Sequence, residues 1–295
     1  MNKKIYFYFF VFIFFSGCET TQKASTVNQQ QEQIIIDSSP FLRMKWGQSV
    51  SFNAYMDPAD VLGARNTPGF YDGSAGAAGL VAQLFIYSAI SSATQKKQYK
   101  NAQKSANAAL SPYTNKLSSF AHSDLWEAVK AKDIGFKTYQ EGDLSGVTIF
   151  DSTPEFILSP DQRSIMLVNK VEVYKSDALQ TPIYTNNFIV ISEAIESEDM
   201  QSYWNDESKK RFVEIGSSIF SESVELAKKD FYKELAKTDK QKTFRYKFGQ
   251  KKMYEHGALI ESHCSNTVMK NLRGYIYKIP IKNLDNPDCV ISNNS

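Results

Sequence analysis

Three histidines, three cysteines and a few paired carboxylates are the groups in this chain able to do chemistry. His256, His263, Cys264 and Cys289 have the residue types of a zinc centre, which needs such ligands to converge at suitable spacing. On one continuous strand His256 and His263 differ in parity, so their side chains leave opposite faces. Cys264 beside His263 also makes a poor nucleophile and base pair, because sequence neighbours seldom meet in catalytic geometry. The Gly-x-Ser-x-Gly turn of α/β hydrolases and the Walker phosphate loop are both absent. Glu222/Glu225 and Asp230/Glu234 are balanced by Lys228, Lys229 and Lys233, the pattern of a solvated helix face. Nothing marks the cleft that a carboxylate pair for glycoside cleavage would flank. These residues predict no catalytic group, no cofactor and no metal.

Cys18 closes a segment of another kind. MNKKIYFYFFVFIFFSGC has two lysines, an apolar run from Ile5 to Phe15, then two small residues. That is the layout of a secretory signal peptide. The run is shorter than the roughly 20 apolar residues needed to span a bilayer. Phe15-Ser16-Gly17-Cys18 resembles the lipobox of bacterial lipoproteins, with Phe15 where an aliphatic residue is usual. The resemblance implies a cut after Gly17, acylation of Cys18 with palmitate-like chains, and two or three chains in all. One chain would hold only marginally, whereas two or more anchor firmly. An ordinary signal peptide cut elsewhere and an uncleaved anchor are the other readings of these residues. Glu19 stands where an Asp would retain an enteric lipoprotein in the inner membrane. The expected address is therefore the outer membrane, facing the periplasm.

Giving Cys18 to lipid leaves Cys264 and Cys289, an even count in an oxidising compartment, which suggests a disulfide. Closing that loop would contribute about 3.5 kcal/mol on the chain-entropy model. Two buried free thiols are the other reading. The formal charge of the chain is +2, and Lys3 with Lys4 supplies both units. A near-neutral remainder without an arginine-rich stripe argues against nucleic acid as a partner. The abundance of aromatics, 20 Phe and 16 Tyr, is enough for a sizeable core even after the signal is removed.

The elements that must position these groups follow from periodicity. Residues 18–38 are polar and Gln-rich and read as a flexible lipidated tether after a 1–17 signal peptide. Residues 39–121 read as an irregular segment, with a strand near Ser49–Tyr55, followed by a long Gly/Ala-rich helix over Ala75–Leu110. Its apolar part, 75–93, has small residues four apart at Ala75/Gly79 and Ala78/Ala82, a spacing that lets helices approach closely. Residues 122–295 read as an α+β domain, able to form one unit with 39–121. Within it Asp124 and Glu127 suggest a capping box. Ser164–Tyr174 alternates as a strand, and Asn187–Ile195 reads as a buried one. Residues Asp206–Ala236 form an amphipathic helix. In Thr243–Phe248 aromatic residues alternate with Arg245 and Lys247, giving one apolar and one basic face. Gly249-Gln250 then makes a hairpin turn into Lys252–Ser262, and Gly274–Ile281 is the last strand. The fold class expected is α+β: a mixed or antiparallel sheet packed with two long helices, ending in a C-terminal β-meander.

Three pieces together resemble a group of uncharacterised proteobacterial lipoproteins that face the periplasm. They are the lipobox, the Gly/Ala-rich helix continuing to Ser111-Pro112, and the pattern Cys264, Val268, Leu272-Arg273-Gly274-Tyr275, Pro280. The resemblance implies an address and names no catalytic residue. The expectation is a non-enzymatic, lipid-anchored envelope protein that binds or assembles a protein partner. Thr243–Phe248 offers that partner an edge for strand addition, the other reading being an ordinary half-buried strand. A homo-oligomeric envelope assembly or pore built through helix 75–93 is the alternative. A third reading is an enzyme whose cleft gathers His256, Glu255 or tyrosines.

Overall fold

The computed structural model describes residues 39–56, 93–139, 146–205, 209–236 and 240–281. The signal peptide 1–17, the tether 18–38 with Cys18, residues 75–92 of the Gly/Ala-rich helix, and Cys289 lie outside the described residues. In chain order the elements are β1 (Phe41–Arg43), β2 (Ser51–Ala54), α1 (Ala93–Asn107), a 3₁₀ turn (Ala108–Tyr113), α2 (Thr114–Ser119), α3 (His122–Ala131), β3 (Lys137–Thr138), β4 (Thr148–Leu158), β5 (Ile165–Lys175), β6 (Tyr184–Ile191), α4 (Met200–Asn205), α5 (Lys210–Phe231), β7 (Gln241–Phe248), β8 (Lys251–Ser262), β9 (Thr267–Asn271) and β10 (Ile276–Ile279).

Period-two apolar residues build the sheet. In β5, Ile165, Leu167, Val171 and Val173 enter one core while Met166 and Val168 enter another on the opposite face. A strand buried on both faces belongs in the sheet interior. The ten strands form one mixed sheet in the order β3-β1-β4-β5-β6-β10-β9-β8-β7, with β2 also on β4. Strands β4, β5 and β6 are antiparallel, and so are β10, β9, β8 and β7; a parallel β6–β10 ladder joins the two sets. β1 and β2 lie parallel to β4 on one side, β1 along Ile149–Asp151 and β2 along Glu155–Leu158. Pro154 falls in the gap between them, where a residue without an N–H removes no ladder bond on that side.

The first core lies under α5. Phe212, Ile219, Phe220, Val224 and Ala227 recur at helical spacing, are buried, and meet Leu167, Val171, Phe188 and Val190. Each such side chain contributes roughly 1.5–3 kcal/mol on burial. Gly216 lets Phe120 come close; a Cβ there would lie 2.8 Å from its ring. One polar thread crosses this core. Ser152 donates to Asn169 Oδ1 at 2.8 Å, and Asn169 Nδ2 donates to Ser223 Oγ at 3.0 Å. This thread fixes α5 on β4 and β5, since burying these groups unpaired would be costly.

A sheet packed with two long helices is not what forms. The ten-stranded sheet dominates, and among the described residues only α5, with 22 residues, is a long helix lying on it. The described part of the other expected long helix, α1, has 15 residues, ATQKKQYKNAQKSAN, and meets β2 and the 3₁₀ turn instead. Its composition explains this: it has no aliphatic stripe to bury on a sheet. The boundaries of two other elements also moved. α3 begins at His122, so Asp124 is its third residue, and its carboxylate accepts the Ala121 N–H at 2.8 Å. α5 stops at Phe231, and Lys233 takes a left-handed φ of +60° just beyond it.

Candidate functional site

The alternation in Thr243–Phe248 is obeyed in full: Phe244, Tyr246 and Phe248 are buried, and Thr243, Arg245 and Lys247 are exposed. The turn that follows has Gly249 at φ +61°, the conformation a two-residue hairpin asks of glycine at its first position. A Cβ on Gly249 would also sit 1.9 Å from Asp161 Oδ1. The Gly249 N–H donates to Ser164 Oγ at 3.1 Å, and the Gln250 N–H to Asp161 Oδ2 at 2.7 Å. The β7–β8 turn therefore docks on the β4–β5 turn, although β7 and β4 are far apart in the strand order. The sheet coils to allow this. Phe244, Tyr246, Phe248 and Met253 close a second core over Ile157, Met166, Val168 and Ile189. Gly257 sits where β8 leaves β9 and continues with β7 alone; a Cβ there would meet the Lys270 carbonyl oxygen at 2.2 Å.

This coil leaves β7 as a sheet edge of eight residues. A two-residue turn closes on a hydrogen-bonded pair, Phe248 with Lys251, so alternate residues point their backbone groups at β8. The outward N–H and C=O groups belong to Gln241, Thr243, Arg245 and Lys247, and no described residue pairs with them. The other margins are managed differently. β3 is only two residues long. On β2, the Ala54 N–H donates to Asn107 Oδ1 at 2.8 Å, and the Ala54 carbonyl accepts from Gln103 Nε2 at 3.0 Å. Short or covered edges are the usual protection against unwanted pairing. β7 is neither.

No protein-family model, curated protein or solved structure matches this chain.

The other chemistry-bearing residues are not gathered. His256 is exposed on the outer face of β8, its Nδ1 3.1 Å from Thr243 Oγ1. His263 lies in the β8–β9 turn, 3.2 Å from Glu261. Cys264, in the same turn, is disulfide-bonded, with a partner outside the described residues. Among the described residues no group of three or more His, Cys, Asp or Glu is placed to hold a metal. Glu255 points away from His256 into the second core, where Asn271 Nδ2 donates to its Oε1 at 3.2 Å. Burial, and then the Glu255 charge, pushes the Tyr246 and Tyr277 hydroxyls well above the usual phenol range. One depression, about 510 Å³, is open and lined by Asp161, Arg163, Glu198, Asp199 and Gln250. Two of its carboxylates are already engaged: Asp161 accepts from Ser159 and Gln250, and Asp199 accepts from the Ser202 N–H and hydroxyl. Among the described residues no helix is long and apolar enough to cross a membrane.

The wet basic face of β7 was visible in the sequence, which left a sheet edge and an ordinary half-buried strand both open. No local signal reveals which strand a sheet ends on. Gly257 carried the usual hint of close backbone approach inside a strand.

Proposed function

We propose that this chain is a lipid-anchored bacterial envelope protein, held at the outer membrane through Cys18 and facing the periplasm. Its body is a non-enzymatic binding or assembly factor that takes an envelope protein as an added strand along β7. The observation that carries this reading is the open edge, whose outward backbone groups have no described partner. Strand addition draws its affinity from such main-chain groups and its selectivity from the alternating side chains. The signal segment and its lipobox support the address.

A photo-crosslinking residue placed singly at Thr243, Lys247 and Lys170 of the full-length chain in cells tests this. Lys170 is exposed but lies on the interior strand β5. The expected result is one discrete adduct from positions 243 and 247 that is absent from 170. Cys18→Ser should release the protein from the membrane fraction and abolish that adduct. Equal labelling at all three positions, or none at the edge, would overturn the reading.

A further inference from the structure

We infer that the occupant of the β7 edge is an extended segment bearing Asp or Glu at two alternate positions, and not a second copy of this chain. This rests on the strand-addition reading above and adds the chemistry of the partner. Arg245, Lys247 and Lys252 are exposed on one wet face of the β7–β8 hairpin. None of them has a carboxylate at ion-pair distance among the described residues. Elsewhere on the sheet Arg43, Lys170, Lys270 and Lys278 meet Asp151, Glu172, Asp230 and Glu222 at 2.6, 2.8, 3.8 and 3.2 Å.

The register sharpens the contrast. Lys247 stands directly opposite Lys252, in a pair that is not hydrogen-bonded and so brings its side chains closer. Like charges directly opposite are destabilising, and no carboxylate here offsets them. A strand laid along β7 places its own wet-face residues beside Arg245 and Lys247, two residues apart. Carboxylates at those positions would neutralise the uncompensated cations. Residues between them fall on the face of Phe244, Tyr246 and Phe248, where apolar side chains extend the second core. A second β7, whose eight residues include no Asp or Glu, would instead add its own Arg245 and Lys247 to the same face. The same charges that discourage self-pairing therefore select an acidic guest.

The test uses the full chain in detergent and three eight-residue peptides in which Val alternates with Glu, Thr or Lys. Affinity is read by fluorescence anisotropy, and amide hydrogen exchange reports protection at Thr243, Arg245 and Lys247. The Glu peptide should bind roughly tenfold tighter than the Thr peptide, as two cross-strand charge pairs allow, and should protect those amides. The Lys peptide should not bind. Arg245→Glu with Lys247→Glu should reverse the order, and Arg245→Gln with Lys247→Gln should erase it. If the Thr peptide binds as tightly as the Glu peptide with the same protection, acidic selection is wrong and the edge reading stands. If no peptide protects these amides, the edge reading itself falls. Protection that appears with protein concentration alone would assign the edge to a second copy and overturn the inference.

Discussion

Replacing Gly257 by Ala adds one methyl group at the point where β8 changes partners. Gly257 pairs with Lys242 on one side and Asn271 on the other. Its new Cβ would stand 2.2 Å from the Lys270 carbonyl oxygen, 2.8 Å from Asn271 Cα and 2.7 Å from Met269 Cε. The methionine can turn aside, but the two backbone atoms cannot. The β8–β9 ladder must open locally, losing about one hydrogen bond (~1 kcal/mol) on top of about 2 kcal/mol of overpacking. A total near 3 kcal/mol lowers Tm by about 6–12 °C in a domain of this size. Gly47→Ala is the comparator. Gly47 has φ +75° with nothing within 4 Å of its added Cβ, so it tests conformation without crowding. Its cost should be about 1–2 kcal/mol. Thermal and urea melts of the full chain measure both, and faster amide exchange across Lys242–Tyr246 should accompany Gly257→Ala alone. If Gly257→Ala is no worse than Gly47→Ala, the coiled path assigned to β8 is wrong.

Three further outcomes are expected. Asn169→Ala removes the buried link between Ser152 and Ser223 and should cost about 2–4 kcal/mol in urea melts; a loss under 1 kcal/mol would mean the thread does not hold α5. Burial raises the Glu155 carboxyl above its usual range, against a hydrogen bond from Asn53 that lowers it. With the folded pKa above the unfolded one, ionisation at neutral pH opposes folding, and that penalty vanishes as pH falls below the unfolded value near ~4.3. Glu155→Gln should therefore raise Tm at pH 7 and give no gain at pH 3.5; a loss at pH 7 would contradict this. Cys264→Ser should cost about 2–4 kcal/mol, and reductant should match that effect in the natural chain while leaving the variant unchanged. Peptide mapping should join Cys264 to Cys289, whereas a Cys18–Cys264 peptide would refute the lipid assignment.

Local pattern made much of the sheet legible. Alternation located β5 and β7, because burial on a pleated surface imposes period two, and Gly249-Gln250 marked the hairpin turn from β7 into β8. The helix at α5 was visible for the parallel reason, period 3.6. Long-range facts were not legible. The β6–β10 parallel ladder joins segments some ninety residues apart, and that ladder decides that β7 ends the sheet. The sequence did not show that the described part of the second helix, Ala93–Asn107, stays off the sheet core, its Gln and Asn residues serving as amide partners for the β2 edge. At the candidate site the charges were readable, but the absence of compensating carboxylates required the register.

β1 and β7 stand near opposite ends of the strand order, and this has a mechanical consequence. If residue 39 leads to a membrane anchor and β7 holds a partner, tension between them crosses the sheet from one ladder to the next. The entry point is suited to it. β1 is gripped on both sides, by β3 and β4, with all three strands parallel. A pull along its axis strains both ladders in shear, so their bonds must fail together instead of unzipping singly. The Arg43–Asp151 pair at 2.6 Å adds a rivet at the same place. Midway, the β6–β10 ladder has three registered pairs, and it is cross-braced where Asn186 Nδ2 donates to the Gly274 carbonyl at 3.1 Å and Lys278 meets Glu222 on α5 at 3.2 Å. Under that loading the sheet would serve as a tension member as well as a scaffold.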